Sequence, residues 1–157
     1  MSKVKILGVC GSPRKGGNSE QVTNSALESA RNVNDVETEL VTLAGLKINH
    51  CIGCARCSGE ESTIENPCPA FNDSMTDLYS KVTSADGYIF TSPVYVGDVN
   101  SLMKAFLDRL LPFTTAYYYP DTKAQFKETL RYKPLGAIAV GGGRNDGMES
   151  ILHTFYR

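Results

Sequence analysis

Short apolar runs alternate along this chain with amphipathic segments of helical period. Val4–Cys10 (VKILGVC) is mostly apolar and ends at Gly11-Ser12-Pro13, the pattern of a buried parallel strand that opens into a loop. A helix is predicted next, capped by Ser19, with Val22, Ala26, Ala30 and Val33 recurring along one face. Glu37–Leu43 (ETELVTL) alternates as a strand does. Ser74, with Asp77 three residues on, forms a capping box ahead of the helical set Met75, Leu78, Tyr79 and Val82. Gly87–Thr91 (GYIFT) predicts a third strand, and Leu102, Met103, Phe106 and Leu110 the helix behind it. Leu135–Val140 (LGAIAV) predicts a fourth strand running into a glycine loop. This β-α alternation predicts an α/β fold: a doubly wound parallel sheet with helices on both faces.

A chain of 157 residues, 41% of them hydrophobic, suits one domain, 1–157, with its own core. It has no apolar run near the length of a membrane span and no signal-peptide pattern after Met1, so a cytoplasmic, reducing setting is expected. Reduced thiols in such a setting favour metal binding over disulfides. The net charge of −1 and the lack of a basic stripe argue against nucleic acid, leaving small molecules and proteins as partners.

Two kinds of feature carry chemistry. In doubly wound sheets ligands bind beyond the carboxyl ends of the strands, and the loops there are unusual. Gly11-Ser-Pro-Arg-Lys-Gly-Gly-Asn-Ser19 places glycines, hydroxyls and cations at a helix N-terminus, a phosphate cradle of free N–H groups and helix dipole. It is not a Walker A loop, because Gly16 is followed by Gly17 and Asn18 rather than by Lys-Ser/Thr, and it lacks G-x-G-x-x-G spacing. The second feature is Cys51, Cys54, Cys57 and Cys68, spaced C-x2-C-x2-C-x10-C, with Pro69 after the last. Three thiols at two-residue gaps plus a more distant fourth suit an iron–sulfur cluster, and backbone N–H groups between them turn toward sulfur. Structural zinc more often takes two separated C-x2-C pairs, and remains the alternative, followed by thiols that hold no metal. Cys10, inside the first strand, reads as a buried inert thiol.

GSPRKGGNS after the first strand, TSPVYVGDVNSLMKAFLDR after the third and VGGGRNDG after the fourth together resemble the FMN-binding loops of the NADPH-dependent FMN reductase superfamily, which is flavodoxin-like. With the cysteine run the chain resembles, over essentially its whole length, the iron–sulfur flavoproteins of that superfamily. The resemblance implies strand order 2-1-3-4-5, a cysteine-cluster insertion at about 47–72, and FMN beside a 4Fe-4S cluster. Carried onto matching positions, Ser12, Arg14, Asn18 and Ser19 would hold the flavin phosphate; Pro93, Val94, Tyr95 and Val96 would border the isoalloxazine; Gly141, Gly142, Gly143 and Asn145 would form its other wall. Cys51, Cys54, Cys57 and Cys68 would bind the cluster, which should lie near the flavin of its own or a neighbouring subunit.

The expected function is electron transfer from a ferredoxin-like donor through cluster and FMN to a small acceptor, with no general acid or base. A NAD(P)H-dependent FMN or quinone reductase is the enzyme alternative, and a redox-sensing interaction protein the non-enzyme one. His50 and His153, the two histidines, offer no convincing Cys-His nucleophile pair. Asp108 and Arg109 read as support for a helix end or a subunit contact. Two departures from the family pattern stand out. The arm Ser58–Pro67 is longer than the family's gap, so Cys68 must return over a loop in which Glu60, Glu61 and Glu65 face water. Only four strands can be found, the fifth appears absent, and Met148–Arg157 resembles a helix cut short, so a truncated or cleaved C-terminus is expected. The aromatic run Tyr117-Tyr-Tyr-Pro120 suggests a partner surface, with tyrosines folded onto their own domain as the alternative; the resemblance to related flavoproteins, in which this region helps build the oligomer, implies a homodimer or homotetramer.

Overall fold

The computed structural model describes residues 3–113, 129–130, 132–143 and 147–155. In chain order its elements are β1 (Val4–Cys10), α1 (Asn18–Arg31), β2 (Val36–Thr42), a 3-10 turn (Arg56–Ser58), α2 (Met75–Ser84), β3 (Gly87–Tyr95), β4 (Asp98–Val99), α3 (Ser101–Asp108), β5 (Leu135–Val140) and α4 (Met148–Phe155). The chain divides into two compact units, one of Met1–Gly45, Ala85–Lys104 and Pro134–Arg157, the other of Leu46–Ser84 and Ala105–Lys133.

The first unit holds the sheet. Its parallel part runs β2-β1-β3-β5, with Val4 opposite Val36, Ile6 opposite Gly87 and Tyr88 opposite Leu135. This is the flavodoxin-like order read over its first four positions. The sheet has five strands where four were expected, because β4 folds back antiparallel on β3 through Val94–Val99 and Tyr95–Asp98; it is a two-residue hairpin strand, and among the described residues no parallel strand lies beyond β5. Strand β1 is flanked on both sides, and its second half is buried accordingly, with Leu7, Val9 and Cys10 at 2% exposure or less. Tyr88 and Phe90, two apart and therefore on one face of β3, lie with their rings tilted against each other at 5.5 Å, and Phe90 meets Phe155 of α4 edge-on at 6.0 Å.

Helix α1 buries a different stripe from the one its aliphatic residues predicted. Ser19, Thr23 and Leu27 face inward, whereas Val22 and Val33 are exposed. Small polar residues serve there because Thr23 Oγ1 donates to the Ser19 carbonyl at 2.6 Å, so no buried hydroxyl at that position is left unpaired.

In the second unit, α2 buries Met75, Leu78, Tyr79 and Val82, the face its periodicity predicts. The Tyr79 ring packs edge-on against Phe113 at 5.9 Å, and its hydroxyl donates to the Arg109 carbonyl at 2.9 Å. The cap of α2 is Asp73 rather than the Ser74/Asp77 box. Asp73 Oδ1 accepts the Met75 N–H at 3.0 Å, while Ser74 Oγ accepts the Lys47 N–H at 3.1 Å. Among the described residues no helix is long and apolar enough to cross a membrane.

Candidate functional site

Two candidate sites lie in different units. In the first unit the β1–α1 loop is built on a hydroxyl turn: buried Ser12 accepts the Arg14 N–H through Oγ at 3.1 Å. Helix α1 has Gly17 at its N-cap and no side-chain cap, so its amino end keeps donors that suit an anion, while Glu20 accepts the Gly16 N–H at 2.9 Å. Ser19 is buried at this helix end, and Asn18, Arg14 and Lys15 are exposed.

Asn100 joins this loop to the end of β3, a role its sequence position did not reveal. It is 2% exposed and donates through Nδ2 to the Gly11 carbonyl at 2.6 Å. Its Oδ1 accepts the Met103 N–H at 3.3 Å, capping α3, and its own N–H donates to Ser92 Oγ at 3.2 Å. The only sequence signal was an asparagine directly before a helical run, an ordinary N-cap. Asn100→Ala is expected to cost about 2 kcal/mol, from a lost cap and an orphaned buried carbonyl. Urea denaturation checks this, and an unchanged midpoint would show that neither bond matters.

In the same unit, β3 and β4 are joined by Val96 and Gly97, both left-handed with φ of 52° and 78°. That is the backbone of a tight two-residue hairpin, and a β-branched residue is rare there. Val96 is fully exposed at the tip. A pocket of about 270 Å³ is lined by Val94, Val96, Gly97, Gly141, Gly142, Gly143 and Met148. The structure thus brings together Val94, Val96 and the three glycines that sequence reading selected, and adds Gly97 and Met148, which it missed. Pro93 is half-buried and Tyr95 exposed, and neither lines this pocket; nor do Ser12, Arg14, Asn18 or Ser19. Asn145 and Tyr117–Pro120 lie outside the described residues.

The cysteine segment folds within the second unit. Gly53 and Ala55 adopt left-handed backbone, φ 64° and 58°, and lead into the 3-10 turn. The Gly53 N–H donates to Cys51 Sγ at 3.5 Å, the amide-to-sulfur contact expected from the spacing. The long arm then closes on itself. Ser62, buried, donates to the Pro67 carbonyl at 2.8 Å, and Thr63 and Asn66 exchange bonds at 3.2 and 3.1 Å. Cys68 is thereby returned, and Cys51, Cys54, Cys57 and Cys68 all line one pocket of about 160 Å³. Glu60, Glu61 and Glu65 are exposed, with Glu61 paired to Arg56 on the surface. Ser62→Ala is expected to loosen the arm by about 1 kcal/mol. Alkylation rates on the metal-free chain read it: Cys68 should react faster while Cys54 is unchanged, and equal rates would refute the arm's role.

The thiols feel one another. Burial pushes the Cys57 thiol up, and the neighbouring Cys68 and Cys51 charges add to that. All five cysteines are free, and Cys10, in the other unit, is fully buried with its thiol pushed up by desolvation, as an inert core thiol should be. Among the described residues no three His, Cys, Asp or Glu side chains are gathered so as to hold a metal ion. The thiols share a pocket without converging on one point. In number and kind, though, four thiols around one cavity fit a centre that takes a separate thiolate on each of four irons.

Both ends of this segment are clasped by Arg109. Its Nη1 donates to the Asn49 carbonyl at 3.0 Å and to Asp73 Oδ2 at 2.8 Å, and Nη2 reaches Asp73 Oδ1 at 3.4 Å. Asp73 in turn accepts the backbone N–H and the Nδ2 of Asn49, each at 2.9 Å. Burial alone would raise the Asp73 carboxyl, but the Arg109 and Asn49 bonds win and hold it below the usual range. The pair is almost fully buried, at 1% and 0% side-chain exposure. Arg109 supports the cysteine segment through its side chain, beyond the helix-end role its position suggested.

The sequence profile of the family described as NADPH-dependent FMN reductase matches residues 4–155, nearly the whole described fold. An iron–sulfur flavoprotein of Methanocaldococcus jannaschii is 35% identical over 156 residues, covering 98% of this chain and 72% of its own length. The chain belongs to the NADPH-dependent FMN reductase family and groups there with relatives named iron–sulfur flavoproteins. Another iron–sulfur flavoprotein, from Methanosarcina thermophila, is 31% identical over 153 residues, with 98% and 71% covered. Among solved structures, RosB with a bound 8-demethyl-8-formylriboflavin-5'-phosphate intermediate aligns at TM-score 0.69 and 16% identity, covering 98% of this chain and 57% of RosB. A WrbA-like flavodoxin from Agrobacterium tumefaciens aligns at TM-score 0.58 and 17% identity, covering 99% and 70%. These structural likenesses establish the flavodoxin-like fold, and the family match makes this chain a flavin redox protein.

Proposed function

We propose that this protein passes electrons between a 4Fe-4S cluster held by Cys51, Cys54, Cys57 and Cys68 and an FMN seated at the ends of β1, β3 and β5. The observation that carries the reading is the return of Cys68 over its long arm into the same pocket as the other three thiols. When bound, the cluster supplies one-electron transfer and the flavin stores two electrons. The protein's own part is positioning. The amino end of α1, with Ser12, Arg14, Asn18 and Ser19, suits the flavin phosphate; Val94, Val96 and Gly141–Gly143 wall a pocket with little side-chain bulk for the ring. A ferredoxin-like protein is the donor in this reading, a small molecule the acceptor, the cytoplasm the setting, and a homodimer or homotetramer the assembly.

Elemental and flavin analysis of protein purified without oxygen tests it. About four irons per chain, one FMN and flavin reduction by reduced ferredoxin are expected. Stoichiometric zinc, little iron and rapid NADPH oxidation would instead favour hydride-dependent FMN reduction, the reading that the family's description supports.

A further inference from the structure

We propose that Arg109 donates its Nε–H to a sulfur of the group held in the cysteine pocket, and so helps to set that group's reduction potential. The inference rests on the cluster reading above. A guanidinium has five N–H donors in a rigid fork. In Arg109 the two terminal nitrogens are engaged by Asn49 and Asp73, one face is covered by the Phe71 ring at 4.7 Å from Cζ, and the residue is 2% exposed. Nε is buried and has no acceptor among the described residues. Proteins seldom leave a charged donor in that state without a ligand or water to accept from it.

Arg109 lines the pocket together with Cys51, Cys54, Cys57 and Cys68. Phe71, Leu111 and Pro112 add apolar wall to this pocket, and Asp108 and Ser58 are its other polar lining residues. The pocket's own chemistry offers sulfur as the acceptor. A guanidinium stays protonated at any pH the fold survives, so the residue remains a donor throughout. Hydrogen bonds and positive charge at sulfur stabilise the more negative reduced form of an iron–sulfur centre.

The test uses the cluster-loaded full chain. In wild type labelled with arginine carrying 15N in the guanidinium only, so that the Arg56 backbone amide between the cysteines is silent, pulsed EPR of the reduced centre should show a 15N coupling. Arg109→Lys keeps the charge against Asp73 but removes Nε, and its reduction potential should fall by about a tenfold change in equilibrium, 59 mV for one electron. The coupling should vanish with it. A wild-type centre without 15N coupling would overturn the inference even if the lysine variant failed to assemble, as would an unchanged potential and spectrum in a loaded variant. Absence of any iron–sulfur centre in wild type would overturn the cluster reading itself, a separately readable failure.

Discussion

Asp73→Asn is expected to destabilise the second unit by about 3–5 kcal/mol, the cost of leaving one member of a buried pair charged and alone. The geometry concentrates the loss. Asp73 accepts from Arg109, from both nitrogens of Asn49 and from the first turn of α2, so one carboxylate closes the neck of the cysteine segment and starts a helix. Asparagine can still accept, but it cannot neutralise a guanidinium that is 1% exposed. The pH dependence follows from the direction of the shift. The folded carboxyl titrates below its unfolded value, so its contribution is complete above about pH 4 and is lost as pH falls through the lower folded value. Wild type should therefore lose stability steeply in acid, and Asp73→Asn should flatten that limb while lowering the plateau. Denaturant midpoints from pH 2 to pH 7 check both, and parallel wild-type and variant curves would refute the assignment.

Gly147→Ala is expected to cost about 3 kcal/mol, and with it the pocket walled by Val94, Val96 and Gly141–Gly143 that is proposed to seat the flavin. A Cβ at position 147 would lie 2.5 Å from Gly97 Cα and 2.7 Å from its carbonyl oxygen, and φ at 147 is +78°. Overpacking against backbone and a left-handed alanine contribute about equally, roughly 1–2 kcal/mol each. The contact has no flexible side chain to give way. Relief requires moving the Val96-Gly97 hairpin tip, which is one wall of the pocket. For a chain of this length the melting temperature should fall by roughly 6–12 °C, and FMN titration should weaken in parallel. Gly142→Ala is the control, because a Cβ there meets nothing within 4 Å and should leave stability within about 0.5 kcal/mol. Equal melting temperatures for the two variants would show that the hairpin does not rest on Gly147.

The sequence pattern was a good guide wherever burial is decided by aliphatic periodicity. β1 runs over Val4–Cys10 as read, and α2 buries the four residues chosen for it. It misled at α1, where Ser19 and Thr23 are buried alongside Leu27, because a polar residue that bonds its own helix looks like a surface residue in a hydrophobicity pattern. The two-residue β4 is too short to leave a period, and its sequence cue, Val96-Gly97, lacks the asparagine or aspartate that usually marks such turns. At the site, cysteine spacing identified all four pocket thiols. Glycine content identified Gly141–Gly143, but not Gly97 or Gly147, whose importance lies in one backbone touching another across the fold. Asn100, Asp73 and Arg109 were the least legible. Each is an ordinary capping or helix-end residue in the sequence and becomes specific only through partners dozens of residues away.

The Ser62–Pro67 and Thr63–Asn66 bonds give the arm before Cys68 its own closure, independent of the thiols on either side. Such a loop can gain or lose residues at its tip without re-aiming the cysteine that follows it, and lengthening a closed loop adds little entropy. Fixed-gap searches that demand one interval between the third and fourth cysteine would therefore discard chains with an intact pocket. A better criterion for finding them is the pair of anchors at the neck, an asparagine ahead of the first cysteine and an aspartate after the last, together with a distant arginine to join them.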